Sequence, residues 1–349
     1  MRILKIAALV LFAGILISVW RMSAILNLDN QFTTNDQGEC TLVEGLAGAE
    51  DITIDSRSGL AYIATDERRS YLTLGKNGTE NGALWVTDLN AEDPMPVAIQ
   101  TDYPNAFHPH GISLVYEGDQ KFLLVINHVS TESHQIDVFE LMGQSQAKLV
   151  ESIRFPELIS PNDLHAISRD RFYITNDHGA PRQTFGEKFE DTFRLAKANV
   201  LQYNKGEVTE IIDGLYMANG IVVSPDKNKL YVAESSGEVI SVYQQGQPNS
   251  WVKDREFYLD VLPDNLELDQ NGNLLVASHV SALYFLMHTF DETVDSPSVA
   301  HRVDVVTGEA EVIYADDGQT FSGASVAAEY KQHLLVGSVF DSYVHCVKN

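Results

Sequence analysis

The sequence predicts an all-β, six-bladed propeller around a central channel. Three observations predict it: a strand–turn–strand unit recurs six times, the copies are spaced as propeller blades are, and one phase of the unit is polar in every copy. Each unit is an alternating apolar strand, a short turn carrying Asp, Gly, Asn or charge, and a second apolar strand. The copies begin at Asp51, Gly111, Asp163, Gly220, Asn265 and Ala324. Their period of about 45 to 60 residues leaves room for four short strands apiece. Segments such as Ala83-Leu-Trp-Val-Thr, Ile136-Asp-Val-Phe-Glu-Leu, Asn199-Val-Leu-Gln-Tyr and Val239-Ile-Ser-Val-Tyr supply further strands. A chain of 349 residues with 44% hydrophobic content can bury a large core, and all-β chains of this length run as one domain. The propeller is therefore assigned to residues 38–349.

The two ends carry their own signals. Met1-Arg2 and Lys5 precede an uncharged apolar run from Ile6 to Trp20, closed by Arg21. Residues 1–24 read as a signal peptide or an N-terminal membrane anchor, with the run at the lower limit for spanning hydrocarbon. Either reading delivers the rest of the chain out of the cytoplasm, secreted or anchored. The only two cysteines are Cys40 and Cys346. In an oxidising compartment their natural fate is one disulfide joining the termini of the domain, with two separate buried thiols as the alternative. Pairing an N-terminal strand with the last blade would close the ring, remove exposed strand edges and bring Cys40 beside Cys346.

Composition limits the partners. The formal net charge of −25, from 49 acidic and 24 basic residues, repels phosphate backbones and attracts cations, which excludes nucleic acid as a partner. Nothing in the sequence fixes an oligomeric state. One stretch breaks the period: His178–Ala198 is polar but spaces Phe185, Phe189 and Phe193 to share one face of a helix. That face is read as packing on the core, with a lid or membrane-facing surface over the channel mouth as the alternative. Asn77-Gly78-Thr79 is a glycosylation sequon, relevant only in a host that glycosylates.

Function is carried by the residues where each inner strand starts. They are Glu50-Asp51, His110 before Gly111-Ile112, Asn162-Asp163, Asn219 before Gly220, Asp264-Asn265, and Ser322-Gly323. Six strands converging on an axis gather carboxylates, amides and a histidine, and carboxylates so crowded require a cation. An all-oxygen set mixing carboxylate and amide suits calcium rather than zinc. Adjacent strand residues face opposite ways, so Glu50 and Asp51, like Asn162 and Asp163, can serve two ions at different depths. His110, in Phe107-His-Pro-His-Gly-Ile, and His128, in Val125-Ile-Asn-His, are candidates to take a proton from water or to relay it.

From about Gly38 to the C-terminus the chain resembles the paraoxonase family of calcium-dependent arylesterases and lactonases. The segments that carry the resemblance are Ala49-Glu-Asp-Ile, Phe107-His-Pro-His-Gly-Ile-Ser, Leu124-Val-Ile-Asn-His, Pro161-Asn-Asp-Leu, Phe172-Tyr-Ile-Thr-Asn-Asp-His, Met217-Ala-Asn-Gly-Ile and Pro263-Asp-Asn-Leu. The resemblance implies a six-bladed propeller, two calcium ions, a terminal disulfide and a lactone or ester as small-molecule substrate. It implies a catalytic calcium on Glu50, Asn162, Asn219, Asp264 and Asn265, and a structural calcium on Asp51, Asp163 and the backbone carbonyl of Ile112. It makes His110 the general base and His128 its partner, with Met217, His279 and Asp177-His178 lining or supporting the site, and with Asp264 as the alternative base. The segment from Asp177 to Leu201, strongly apolar in animal members, here carries Arg182, Glu187, Lys188, Glu190, Asp191 and Arg194, so lipid-particle binding does not carry over. Nothing in the residues predicts organophosphate hydrolysis as a side activity. Two other readings remain: a sugar lactonase resembling gluconolactonases, with one metal, and a non-catalytic propeller whose calcium is structural and whose rim binds a partner.

Overall fold

A computed structural model of the chain describes residues 33–36, 38–69, 81–104, 106–246 and 250–348. The leader and the glycosylation sequon lie outside the described residues. Six antiparallel sheets surround one axis. Blade 1 runs Ala49–Asp55, Leu60–Thr65, Ala83–Asp88, Val97–Ala98, and blade 2 runs Pro109–Glu117, Gln120–Ser130, Ser133–Met142, Gln146–Ile153. Blade 3 runs Pro161–Ser168, Arg171–Asn176, Ala198–Asn204, Glu207–Leu215, and blade 4 runs Ala218–Val223, Lys229–Glu234, Val239–Gln245, Trp251–Tyr258. Blade 5 runs Leu262–Leu268, Leu274–His279, Ser298–Val303, Ala310–Asp316, and takes Asn35–Asp36 as an extra edge strand. Blade 6 is Ala324–Tyr330, His333–Ser338, Tyr343–Val347 and, outermost, Glu39–Val43 from the other end of the chain.

That last pairing closes the ring as the sequence predicts. Cys40 lies opposite Cys346 in the register and is disulfide-bonded to it across 306 residues. In the chain-entropy account a loop of this length stabilises by about 5 kcal/mol at most. Each inner strand packs on the inner strand of the next blade, and the sixth on the first. Between neighbouring blades lie apolar clusters: Tyr62, Phe107 and Phe139 join blades 1 and 2, Tyr173 and Trp251 blades 3 and 4, and Tyr343 and Ile52 blades 6 and 1. Each such side chain contributes roughly 1.5 to 3 kcal/mol on burial, so ring closure rests on interblade packing as much as on the disulfide.

Two features of the blades shape the channel. The ladder shifts register on every inner strand where the polar residues sit: between Ala49 and Asp51, Pro109 and Ile112, Pro161 and Leu164, Ala218 and Ile221, Pro263 and Leu266, and Ala324 and Val326. A bulge frees residues from the ladder and re-aims them. Even-numbered blades also place glycine beside the bulge of the next odd one. A Cβ on Gly111 would sit 2.7 Å from the Asn162 carbonyl oxygen, and one on Gly220 2.6 Å from that of Asp264, so both must lack a side chain.

Blades 3 and 5 carry long connections between their second and third strands, on the face where the inner strands begin. Helix α1 (Phe185–Phe193) lies in that connection of blade 3 and helix α2 (Ala282–Phe290) in that of blade 5. The helix expected from the Phe185, Phe189 and Phe193 spacing is present, but core packing of its rings is overturned: they are 83%, 46% and 60% exposed. The blades had already filled their own interiors. Among the described residues no helix is long and apolar enough to cross a membrane.

Candidate active site

The channel has two mouths. The upper, where the inner strands begin, holds a cavity of about 320 Å³ lined by Glu50, His110, His128, Asn162, Asn219 and Asp264, with Asp177, His178, Met217 and His279 also in its wall. Leu262, Phe285, Val339 and Phe340 form its apolar side. The lower holds a separate cavity of about 310 Å³ lined by Asp51, Ile112, Asp163 and Glu267. Strand alternation thus divides Glu50 from Asp51 and Asn162 from Asp163 between the two mouths. Asn265 lines neither: its amide donates to Glu50 Oε1 at 2.9 Å. Ser322 lines neither cavity, its hydroxyl accepting from the Ser296 N–H and donating to the Gly318 carbonyl, and blade 6 instead reaches Glu50 by Ser325, whose hydroxyl donates to the Glu50 carbonyl at 2.6 Å.

Hydrogen bonds tie the ring together. Asp51 accepts from the Ile112 N–H at 2.6 Å and Asp163 from the Ile221 N–H at 2.8 Å, each bridging to the next blade. It is the N–H of Ile112 that faces Asp51. Burial pushes Asp51 and Asp163 well above the usual carboxylate range; each also feels Glu50 and Glu267, and Asp51 feels Asp163. Burial likewise raises Glu267, to about 7. Asp264 is raised by burial and opposed by His279, whose Nε2 lies 3.0 Å from its carboxylate. Burial would raise Glu50 too, but His110, Arg68 and Asn265 outweigh it and hold it at about 2.

Four buried oxygens remain unsatisfied: Glu50 Oε2, Asn162 Oδ1, Asn219 Oδ1 and Asn265 Oδ1. Among the described residues these are the only buried carboxylate or amide side-chain oxygens with no hydrogen bond. An orphaned buried acceptor costs about 1 to 3 kcal/mol. All four belong to the set proposed from sequence for one ion, and acceptor-only oxygens with a carboxylate among them fit a hard cation such as calcium. No three of His, Cys, Asp and Glu are grouped to hold a metal among the described residues; amides carry most of this donor set.

The histidines form a chain. His110 Nδ1 is 3.0 Å from His128 Nε2, and His128 Nδ1 is 2.8 Å from His134 Nδ1. His110 Nε2 lies 3.3 Å from Glu50 Oε1. Burial, reinforced by Arg182 and Arg68, keeps His110 below its usual pKa despite Glu50, and His128 is pushed well below for the same reasons. Both are therefore neutral imidazoles near pH 7. His178 differs: burial works against its charge, but Asp177 and Asp191, each 2.7 Å away, push it up to about 11. His279 stacks on Phe285 with ring centroids 3.7 Å apart. Met217 holds φ 55°, a left-handed conformation costing an ordinary residue about 1 to 3 kcal/mol, fixed by its carbonyl accepting from the Ser235 N–H.

Several site residues had no sequence assignment. Arg182, from the loop before α1, reaches His128 and Asp177. Arg68 is buried, donating to the Gly48 and Pro109 carbonyls beside Glu50. His108 pairs with Asp66 at 3.1 Å in the same cavity. His134 was detectable, since it and His128 flank one hairpin turn. The others come from connections with no periodicity to read.

Comparison with known proteins agrees with this architecture. The profile of the Arylesterase family matches residues 31–347. The chain is 30% identical to human serum paraoxonase/arylesterase 1 over 317 residues, covering 88% of each. It is 30% identical to bovine serum paraoxonase/arylesterase 2 over 321 residues, 89% of each, and 29% identical to rabbit serum paraoxonase/lactonase 3 over 320 residues, 88% of each. Among solved structures, a luciferin-regenerating enzyme superposes with TM-score 0.57 at 11% identity, covering 89% of this chain and 95% of its own. A putative gluconolactonase gives TM-score 0.56 at 13% identity, covering 90% and 94%. At such identities these two speak to the fold alone. The family match over nearly the whole chain, with relatives similar along its length, settles membership: the chain belongs to the arylesterase family.

Proposed function

We propose that the protein is a calcium-dependent hydrolase of carboxylic esters that cleaves lactones and aryl esters, with His110 as general base. The observation that carries this reading is the set of four orphaned oxygens: three belong to Glu50, Asn162 and Asn219, which line the upper cavity in whose wall His110 stands, and the fourth to Asn265, whose amide donates to Glu50. Glu50, Asn162, Asn219, Asp264 and Asn265 would hold the catalytic ion. Asp51, Asp163 and the carbonyl of Ile112 would hold a structural one. Calcium bound at the upper position supplies Lewis-acid polarisation of the ester carbonyl and stabilisation of the developing oxyanion. His110, kept neutral by burial, accepts the proton of the attacking water, and His128 holds its ring. Leu262, Phe285 and Phe340 exclude bulk water and pack the apolar part of the substrate. The products are a ring-opened hydroxy acid, or an acid and a phenol.

The relatives named arylesterase and lactonase support the reaction class. The disulfide supports an extracytoplasmic location, to which residues 1–24 would deliver the domain. Hydrolysis by the purified, calcium-loaded full chain, tested on phenyl acetate, an aliphatic δ-lactone and a sugar lactone, checks the reading. Turnover of the first two is expected. Turnover of the sugar lactone alone would replace it with the gluconolactonase reading, and turnover of none would leave a binding module.

A further inference from the structure

Asp66 and His108 form a buried carboxylate–imidazole pair in the wall of the upper cavity, outside both the ligand set and the chain from His110 to His134. His108 Nδ1 lies 3.1 Å from Asp66 Oδ1 and 3.2 Å from Oδ2. A carboxylate only accepts, so Nδ1 donates, and a proton that His108 exchanges with the cavity passes through Nε2. The residue is also fixed through its backbone. Its N–H donates to Asn127 Oδ1 at 2.9 Å, its carbonyl accepts from the His128 N–H at 3.0 Å, and the Asn127 amide donates to Asp137 at 2.7 Å. The Asp66 N–H donates in turn to the Gly48 carbonyl at 3.2 Å. A carboxylate on Nδ1 sets an imidazole's orientation and balances the charge of its protonated form.

Ester hydrolysis has a task for such a pair. Attack by water gives up one proton, which His110 accepts, and departure of the alcohol requires one. The requirement grades with the leaving group. An alkoxide, which a lactone releases on opening, is about as basic as hydroxide, whose parent water has a pKa of about 15.7. A phenoxide is the conjugate base of an acid of pKa about 10 and departs far more readily.

We propose that His108 is the general acid of the reaction, giving its Nε2 proton to the departing oxygen, and that Asp66 is the positioning residue that orients its ring and balances its charge. This rests on the reading of the protein as an ester and lactone hydrolase. The C–O bond breaks with its electron pair going to oxygen, which takes the proton from Nε2. His108 then stands neutral, its Nδ1–H still on Asp66. The proton that His110 took from water returns to solvent and His108 takes one from it, so each turnover consumes one water and no other co-reactant. What His108 adds is substrate range, because it extends hydrolysis from aryl esters to lactones and alkyl esters.

The test is kcat and KM of the calcium-loaded full chain on a δ-lactone and on p-nitrophenyl, phenyl and ethyl acetate, for wild type, His108→Gln and Asp66→Asn, with bound calcium measured on each. Wild-type kcat is expected to vary little along the series. His108→Gln should lower kcat by about 10²- to 10⁴-fold on the lactone and ethyl acetate, and progressively less on phenyl and p-nitrophenyl acetate, while KM and calcium hold. Asp66→Asn should show the same grading to a smaller extent, which a loss of packing would not produce. A loss uniform across leaving groups, or full lactone turnover in folded His108→Gln, overturns the proposal. So does a wild-type kcat that falls steeply with leaving-group basicity, a result that stands even if neither variant folds. A wild type that hydrolyses none of the series fails the hydrolase reading itself, and the acid with it.

Discussion

Replacing His110 with glutamine is expected to cut kcat on phenyl acetate by roughly 10²- to 10⁴-fold, the usual contribution of a positioned general base, with bound calcium unchanged. Glutamine can still donate to Glu50 Oε1, which His110 Nε2 approaches at 3.3 Å, so the carboxylate keeps a partner. What is lost is a neutral nitrogen able to accept a proton near pH 7. Steady-state kinetics and metal analysis on one preparation separate the outcomes. Activity that survives would move the base to Asp264, the buried carboxyl paired with His279. Activity and calcium lost together would make His110 a structural support of the metal ring.

The second large effect is a change of sign. Asn219 is 6% exposed and its Oδ1 has no hydrogen bond, so without calcium it holds an acceptor in a buried place at a cost of about 1 to 3 kcal/mol. In EGTA, Asn219→Leu should unfold in urea at an equal or greater stability than wild type, by up to about 1 to 3 kcal/mol. At 100 to 1,000 times the dissociation constant, bound calcium adds roughly 3 to 4 kcal/mol to wild type, and the leucine variant should gain far less. Wild type then becomes the more stable of the two. Equal cost of the substitution with and without calcium would mean that Asn219 is ordinary packing.

The blades were legible because strand period and turn chemistry are local. Residues 51–65 and 163–176 each write one hairpin, and six hairpins at this spacing have one common solution. The division of Glu50 from Asp51 between the two mouths followed from strand alternation, though what frees them from the ladder is a bulge, and no residue type announces a bulge. Closure was legible because Cys40 and Cys346 stand at the two ends of the domain. The exposure of Phe185, Phe189 and Phe193 was not, since helical spacing gives a shared face and says nothing of what it meets. Arg182 and Arg68 were hidden for a related reason: each lies in a long connection, and only the folded ring brings Arg182 within 3.1 Å of His128, 54 residues away.

The central claim, that the orphaned oxygens hold the ion with which His110 works, is tested most directly by stripping the full chain with EGTA and returning calcium stepwise while bound calcium and phenyl acetate hydrolysis are measured on the same sample. Activity should be absent from the stripped protein and return in step with occupancy of the catalytic ion. Full activity in stripped protein, or calcium that rebinds without restoring hydrolysis, would contradict it.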